Sequence, residues 1–188
     1  MKNSAYFEDP HQNYRRTRFF IEMGMALAMS GMFLLLLGFL RVPVSIPLFF
    51  LTYRRSPKIA LYVAIILGYM TLLIHPLILH PIVFIECPLE YACIAIAGFF
   101  PMGIKKYENN ILQWIYECRG VIIAATLRFL VTFVGSFIIY SYYLHSTSAI
   151  VWLIAFLDEG PIFIPYLIFT MVLIPRLVKY KYEIRELK

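Results

Sequence analysis

Charge is scarce in this chain of 188 residues: Asp, Glu, Lys and Arg make up 15% of it, against 61% hydrophobic types. A soluble domain carries about 25% charged residues, and much of any small fold remains surface that must be wetted. With a mean hydropathy of +0.75, the solvent for most of this protein is lipid, which excludes a soluble enzyme, a secreted disulfide scaffold and a disordered chain. Cysteine is scarce as well. Cys87, Cys93 and Cys118 show no CxxC or Cys/His spacing, so neither a zinc site nor a disulfide framework is expected, and no cofactor is implied. The sequence lacks a GxxxxGK[ST] phosphate loop, so the chain does not hydrolyse ATP by itself, and it lacks the HExxH and GxSxG patterns of hydrolytic chemistry. It has no internal repeat and no low-complexity stretch. Short alternating strands are also missing, which excludes a β-barrel.

What is present is a series of long apolar runs. About 20 apolar helical residues cross a hydrocarbon core of about 30 Å. Six segments are read as spans: Phe19–Leu40, a shorter Val44–Tyr53, Lys58–Ile74, Pro81–Met102, Gly120–Tyr143 and Ala149–Leu177. The expected fold is an all-α integral membrane bundle, with residues 1–18 as an N-terminal cytoplasmic segment, 19–177 as the membrane domain and 178–188 as a basic cytoplasmic tail. The second run is too short to span as a straight helix, so residues Arg41–Ser45 are expected to dip into the protein as irregular backbone. No cleavable signal peptide is read, because residues 1–18 are polar and the run that follows is long enough to span. The net charge of +6 sits in clusters between apolar runs, which points to membrane topology and not to nucleic acid. With both termini in the cytoplasm, all of the 17 Lys and Arg residues except Arg41 and Arg128 fall inside, as the positive-inside bias requires. Ile104–Arg119, with Trp114 and Ile115 among polar residues, reads as either an interfacial amphipathic helix or a solvated loop.

Acids inside such runs need a reason to be there, because each costs at least about 2.5–3.5 kcal/mol at mid-membrane. Glu22 is one turn from Arg18 and is read as a helical ion pair. Glu86 and Glu90 share one face of the fourth span, and Asp158 and Glu159 lie at similar depth on the sixth. Arg128 is the cation placed within the membrane to meet them. A surplus of carboxylates in the outer half, beside Tyr140 on the fifth span and Trp152 on the sixth, suits a flat organic cation through charge, hydrogen bonding and cation–π contact. The alternative is that the acids are protonated or paired with Arg128. Tyr142 and Tyr143 read as interfacial belt residues, and His75 and His80 as loop residues or anchors. Gly24 with Ala28, and Ala26 with Ser30, form small-xxx-small pairs that let another helix approach, within the protein or from a partner.

Several stretches taken in order carry a resemblance. Ile46–Leu61 (IPLFFLTYRRSPKIAL), Leu79–Phe100 (LHPIVFIECPLEYACIAIAGFF), Arg128–Ser136 and Trp152–Thr170 with Pro165 resemble spans two to six of the thiamine-specific S components of energy-coupling factor transporters, the ThiT-like family. The resemblance implies a substrate-binding subunit in a prokaryotic plasma membrane that captures a vitamin from outside. It would work with a transmembrane coupling subunit and two ATPase subunits, and Gly24, Ala26 and Ala28 would form the docking face. The family's binding acid falls on Glu86. Thr132 stands where the family has His, Glu159 where it has Asn, Tyr140 where it has Trp, and Cys87 where it has Tyr. Lost stacking surface reshapes the pocket, while the added acid still favours a cation such as thiazolium. The ligand set this gives is Glu86, Glu90, Thr132, Tyr140, Trp152, Asp158 and Glu159. Two other readings stay open: an S component for a different vitamin-like ligand, and a stand-alone cation-coupled carrier that uses its acids as a proton relay.

Overall fold

The computed structural model describes residues 10–36, 41–74, 80–100 and 110–186. Among these, all regular structure is helical: α1 (Pro10–Leu36), α2 (Arg41–Arg54), α3 (Pro57–Ile74), α4 (Val83–Ala95) continued by a 3₁₀ turn (Ile96–Phe99), α5 (Asn110–Leu144) and α6 (Ala149–Glu186). Helices are the expected outcome, because backbone groups facing lipid find hydrogen-bond partners only within their own segment. Four segments are long and apolar enough to cross a membrane: Thr17–Leu36, Pro57–Ile74, Leu112–Leu144 and Ala149–Arg176.

The short α2 forms the centre of the bundle. Val44, Leu48, Phe49 and Leu51 are buried together with Ser45 and Thr52, and α2 packs against α1, α3, α4 and α6. Its neighbours thus shield a helix that is mostly apolar. Around it, α3 packs on α4, α4 on α5 and α5 on α6. Gly68 allows the first of these contacts: a Cβ there would run into the backbone of Pro88, with its nitrogen at 2.7 Å and the Cys87 carbonyl at 2.8 Å. The outer faces, carrying Phe20, Leu36, Leu73, Ile85 and Leu157, are apolar and exposed, as suits a protein whose solvent is lipid.

Local sequence chemistry sets the turns. Between α2 and α3, the Ser56 Oγ accepts the Ile59 N–H at 3.4 Å, and Pro57 occupies the first helical position, where its missing N–H costs nothing. The α5–α6 turn passes through His145 at φ 48°, the left-handed conformation that closes helices, and Ser146 N–H returns to the Ser141 carbonyl at 3.3 Å.

One sequence expectation changes and another is extended. Residues Arg41–Ser45 are the first turn of α2 and not irregular backbone, since a proline in the opening turn of a helix lacks only a donor that has no partner there. The fifth apolar run belongs to a longer helix: α5 is unbroken from Asn110 to Leu144, so the described part of the expected Ile104–Arg119 segment, from Asn110 on, is helical and continuous with that run. Gly120 starts the run in the sequence but lies inside the helix. In the fold it is a contact point, where a Cβ would meet the Ala97 carbonyl and the Tyr53 hydroxyl, each at 2.7 Å. The part of that segment before Asn110, and His75, lie outside the described residues.

α6 contains Pro161, Pro165 and Pro175. Each removes one intrahelical hydrogen bond and leaves the carbonyl four residues earlier without its helical donor. For Pro175 that carbonyl belongs to Met171, and the buried Cys118 thiol of α5 donates to it at 3.4 Å. A free cysteine is thereby accounted for as a hydrogen-bond donor.

Candidate ligand-binding site

Arg128, Thr132, Ser136 and Tyr140 recur every four residues on α5, so they form one polar file along the helix. Three of the four bond to a facing helix. Arg128, buried, donates through Nε to Glu90 of α4 at 3.0 Å and pairs with it again through Nη2. Its guanidinium lies over the rings of Tyr166 at 4.6 Å and Tyr91 at 5.6 Å. One turn on, Thr132 is buried and donates to backbone carbonyls of its own helix, 3.1 Å to Phe129 and 3.3 Å to Arg128. Ser136 donates to Glu159 of α6 at 3.2 Å. At the end of the file, the Tyr140 hydroxyl donates to Asp158 at 3.0 Å.

The acids predicted from sequence take four different positions around this file. Glu90 is engaged by Arg128, so its charge is matched within the protein. Glu159 is 5% exposed and faces Ser136. Asp158 is exposed, at the rim. Glu86 reaches α5 from the other side: its carboxyl group occupies the space a side chain at Gly135 would need. Gly135 and Ser136 are consecutive, so Glu86 from α4 and Glu159 from α6 approach the same turn of α5. Trp152 lies elsewhere, stacked on Phe137 at 3.9 Å and tilted against Phe133 at 5.5 Å. It forms the outer end of an aromatic run along α5 and α6 that also holds Phe129, Phe156 and Phe163. Tyr142 and Tyr143 are exposed, in keeping with interfacial positions.

Two spaces border α5 at this level, of which the first is lined by the file. One of about 20 Å³ lies between α5 and α6, lined by Arg128, Thr132, Glu159 and Tyr166; it is room for about one water molecule. The other, about 300 Å³, runs between α4 and α5 beside Glu86 and is otherwise lined by apolar side chains. Sequence reasoning missed Ser136 and Tyr166 here. The four-residue recurrence from Arg128 to Tyr140 was the available signal for Ser136; nothing in the sequence marked Tyr166. Among the described residues, no cluster of His, Cys, Asp and Glu is arranged to hold a metal ion.

On α1 the small residues divide between two faces. Ala26, Ser30 and Gly31 are buried, with Met70 lying 3.4 Å from where a Gly31 Cβ would be. Gly24 and Ala28 are exposed, and nothing lies within 4 Å of a Cβ at Gly24.

A sequence model of the thiamine transporter protein family (Thia_YuaJ) matches residues 17–186, a stretch that includes the whole polar file and all four acids around it. The chain belongs to that family. No curated protein and no solved structure matches it. Family membership and the long apolar helices together make it a multi-pass membrane transport protein.

Proposed function

We propose that this thiamine transporter is the substrate-binding subunit, the S component, of an energy-coupling factor importer for thiamine or a related cationic precursor. Glu86 and Glu159 supply the negative charge, Thr132 and Ser136 hydroxyl contacts, and Tyr140, steadied by Asp158, an aromatic face. Trp152 closes the outer end of the aromatic run. Glu90 acts through its pair with Arg128, fixing α4 on α5. The observation that supports this reading best is the approach of Glu86 and Glu159 to one turn of α5 from two helices. The space beside Glu86 is about 300 Å³, at the lower end of the roughly 300–1,000 Å³ of small-molecule sites, while that beside Glu159 is about 20 Å³, so a ligand that also reaches Glu159 separates α6 from α5 at this level.

In this reading the chain crosses the plasma membrane of a prokaryote six times, with both termini in the cytoplasm. α2 and the α4–3₁₀ segment supply the two shorter crossings. At helical rise, the 13 residues of α4 and the four of the 3₁₀ turn cover about 27 Å. Residues 1–18 and 178–188 flank the membrane domain on the cytoplasmic side. ATP hydrolysis resides in two partner ATPases joined through a transmembrane coupling subunit. The exposed Gly24 and Ala28 supply the docking face, and Ala26 packs inward behind them.

The deciding experiment is isothermal titration of the purified protein with thiamine, repeated with Glu86→Gln. Tight binding that the variant loses establishes the ligand and its anchor. Binding that Glu86→Gln leaves unchanged removes Glu86 from the site, and absence of heat with folded protein discards thiamine. Uptake into vesicles by the chain alone would instead favour a stand-alone cation-coupled carrier.

A further inference from the structure

Away from the polar file, Glu22 of α1 accepts from three guanidinium groups. Arg18 donates through Nε at 3.3 Å, Arg54 at the end of α2 through Nη2 at 3.0 Å, and Arg55 through Nε. Three cations around one carboxylate leave two positive charges in excess. Each guanidinium carries five N–H donors, far more than one carboxylate accepts, so the cluster has capacity for a second anion.

A groove of about 360 Å³ starts at this cluster and runs between α1 and α2, with Glu22 and Arg54 at one end and Met29, Phe33, Ile46 and Phe50 along it. From Glu22 to Phe33, α1 rises about 16 Å, close to half of a hydrocarbon core of about 30 Å. The groove is thus charged at one end, apolar beyond it and one leaflet long.

We propose that the α1–α2 groove is a binding site for an anionic glycerophospholipid, with one acyl chain along the groove and the phosphate on Arg18, Arg54 and Arg55. Arginine clusters at a membrane surface attract anionic headgroups, and guanidinium–phosphate pairs are strong and directional. Ala26 lines the groove while the exposed Gly24 and Ala28 do not, so the site borders the proposed docking face. It is independent of which solute is transported.

The test uses the full chain in detergent, supplied with equal amounts of dioleoyl phosphatidylglycerol and dioleoyl phosphatidylcholine, with retained lipid read by native mass spectrometry. Phosphatidylglycerol adducts should dominate. Arg18 and Arg55 are exposed, and R18Q/R55Q should lower the phosphatidylglycerol preference on the order of tenfold. M29W, which fills the groove from an exposed position, should reduce adducts of both lipids. The proposal is overturned by equal adducts in the unaltered protein, by a preference that survives R18Q/R55Q, or by adducts indifferent to M29W. Soluble glycerol phosphate that displaces the lipid would place the site in the arginines alone and overturn the groove. A detergent-stable dimer that M29W dissociates, with lipid retention unchanged, would make a second copy the occupant and equally overturn it.

Discussion

Among the described residues, two arginine–glutamate clusters solve opposite problems. At Glu90 one buried carboxylate meets one buried guanidinium, with side chains 8% and 5% exposed, and two tyrosine rings cover the cation. At Glu22 one carboxylate meets three guanidiniums, two of them on residues open to the surroundings. Burial makes the first pair compulsory: neither charge is tolerable without the other, so the count is one to one. Exposure frees the second from that constraint, so charge can accumulate there beyond what the protein itself neutralises. The same two residue types therefore fix helices in one place and leave binding capacity in the other.

The largest expected effect breaks the compulsory pair. Arg128→Met leaves Glu90 buried with no counter-cation and should destabilise the fold by about 3–5 kcal/mol, measured as a fall in the unfolding midpoint in detergent. Glu90→Leu in the same chain should restore much of the loss; a double variant as unstable as the single one would show that packing, and not charge, is at stake. A smaller effect is expected at the turn where Glu86 meets α5. Gly135→Ala places a methyl group where the Glu86 carboxyl lies, which should cost about 1–3 kcal/mol by overpacking and weaken thiamine binding as the carboxyl moves aside. Affinity unchanged in a folded Gly135→Ala protein would detach Glu86 from the site. The smallest effect belongs to the exposed cluster: Arg18→Gln should shift stability by no more than about 0.5 kcal/mol, because two other guanidiniums still hold Glu22. A loss comparable to that of Arg128→Met would erase the distinction between the clusters.

The sequence carried the long apolar helices and the acids within them because both are local signals. Long apolar runs declare their length, and a carboxylate within one is conspicuous wherever it sits. It also singled out Arg128 as the intramembrane cation, but the choice of Glu90 over three other acids depends on how α4 lies against α5, 38 positions apart. The Arg18–Glu22 pair was legible because it spans one turn; Arg54 and Arg55 reach the same carboxylate from 32 and 33 positions away, a distance that periodicity does not encode. The role of Gly120 was not legible either. Glycine marks helix ends in isolation, yet here it admits a neighbouring carbonyl to the middle of α5. Thr132 and Tyr140 were named as site residues without the Ser136 between them, although the spacing that joins all three was visible.

The prolines of α6 bear on how such a site opens. A helix lacking the bonds to residues 157 and 161 has its compliance concentrated there, immediately beside Glu159. At Met171 the missing bond is replaced by the Cys118 thiol, which stitches the lower part of α6 to α5. α6 is then a jointed lever with one segment clamped and the other hinged. On the proposed reading, the space at Glu159 widens by a bend at Pro161 and Pro165 while the part of α6 held by Cys118 keeps its place against α5.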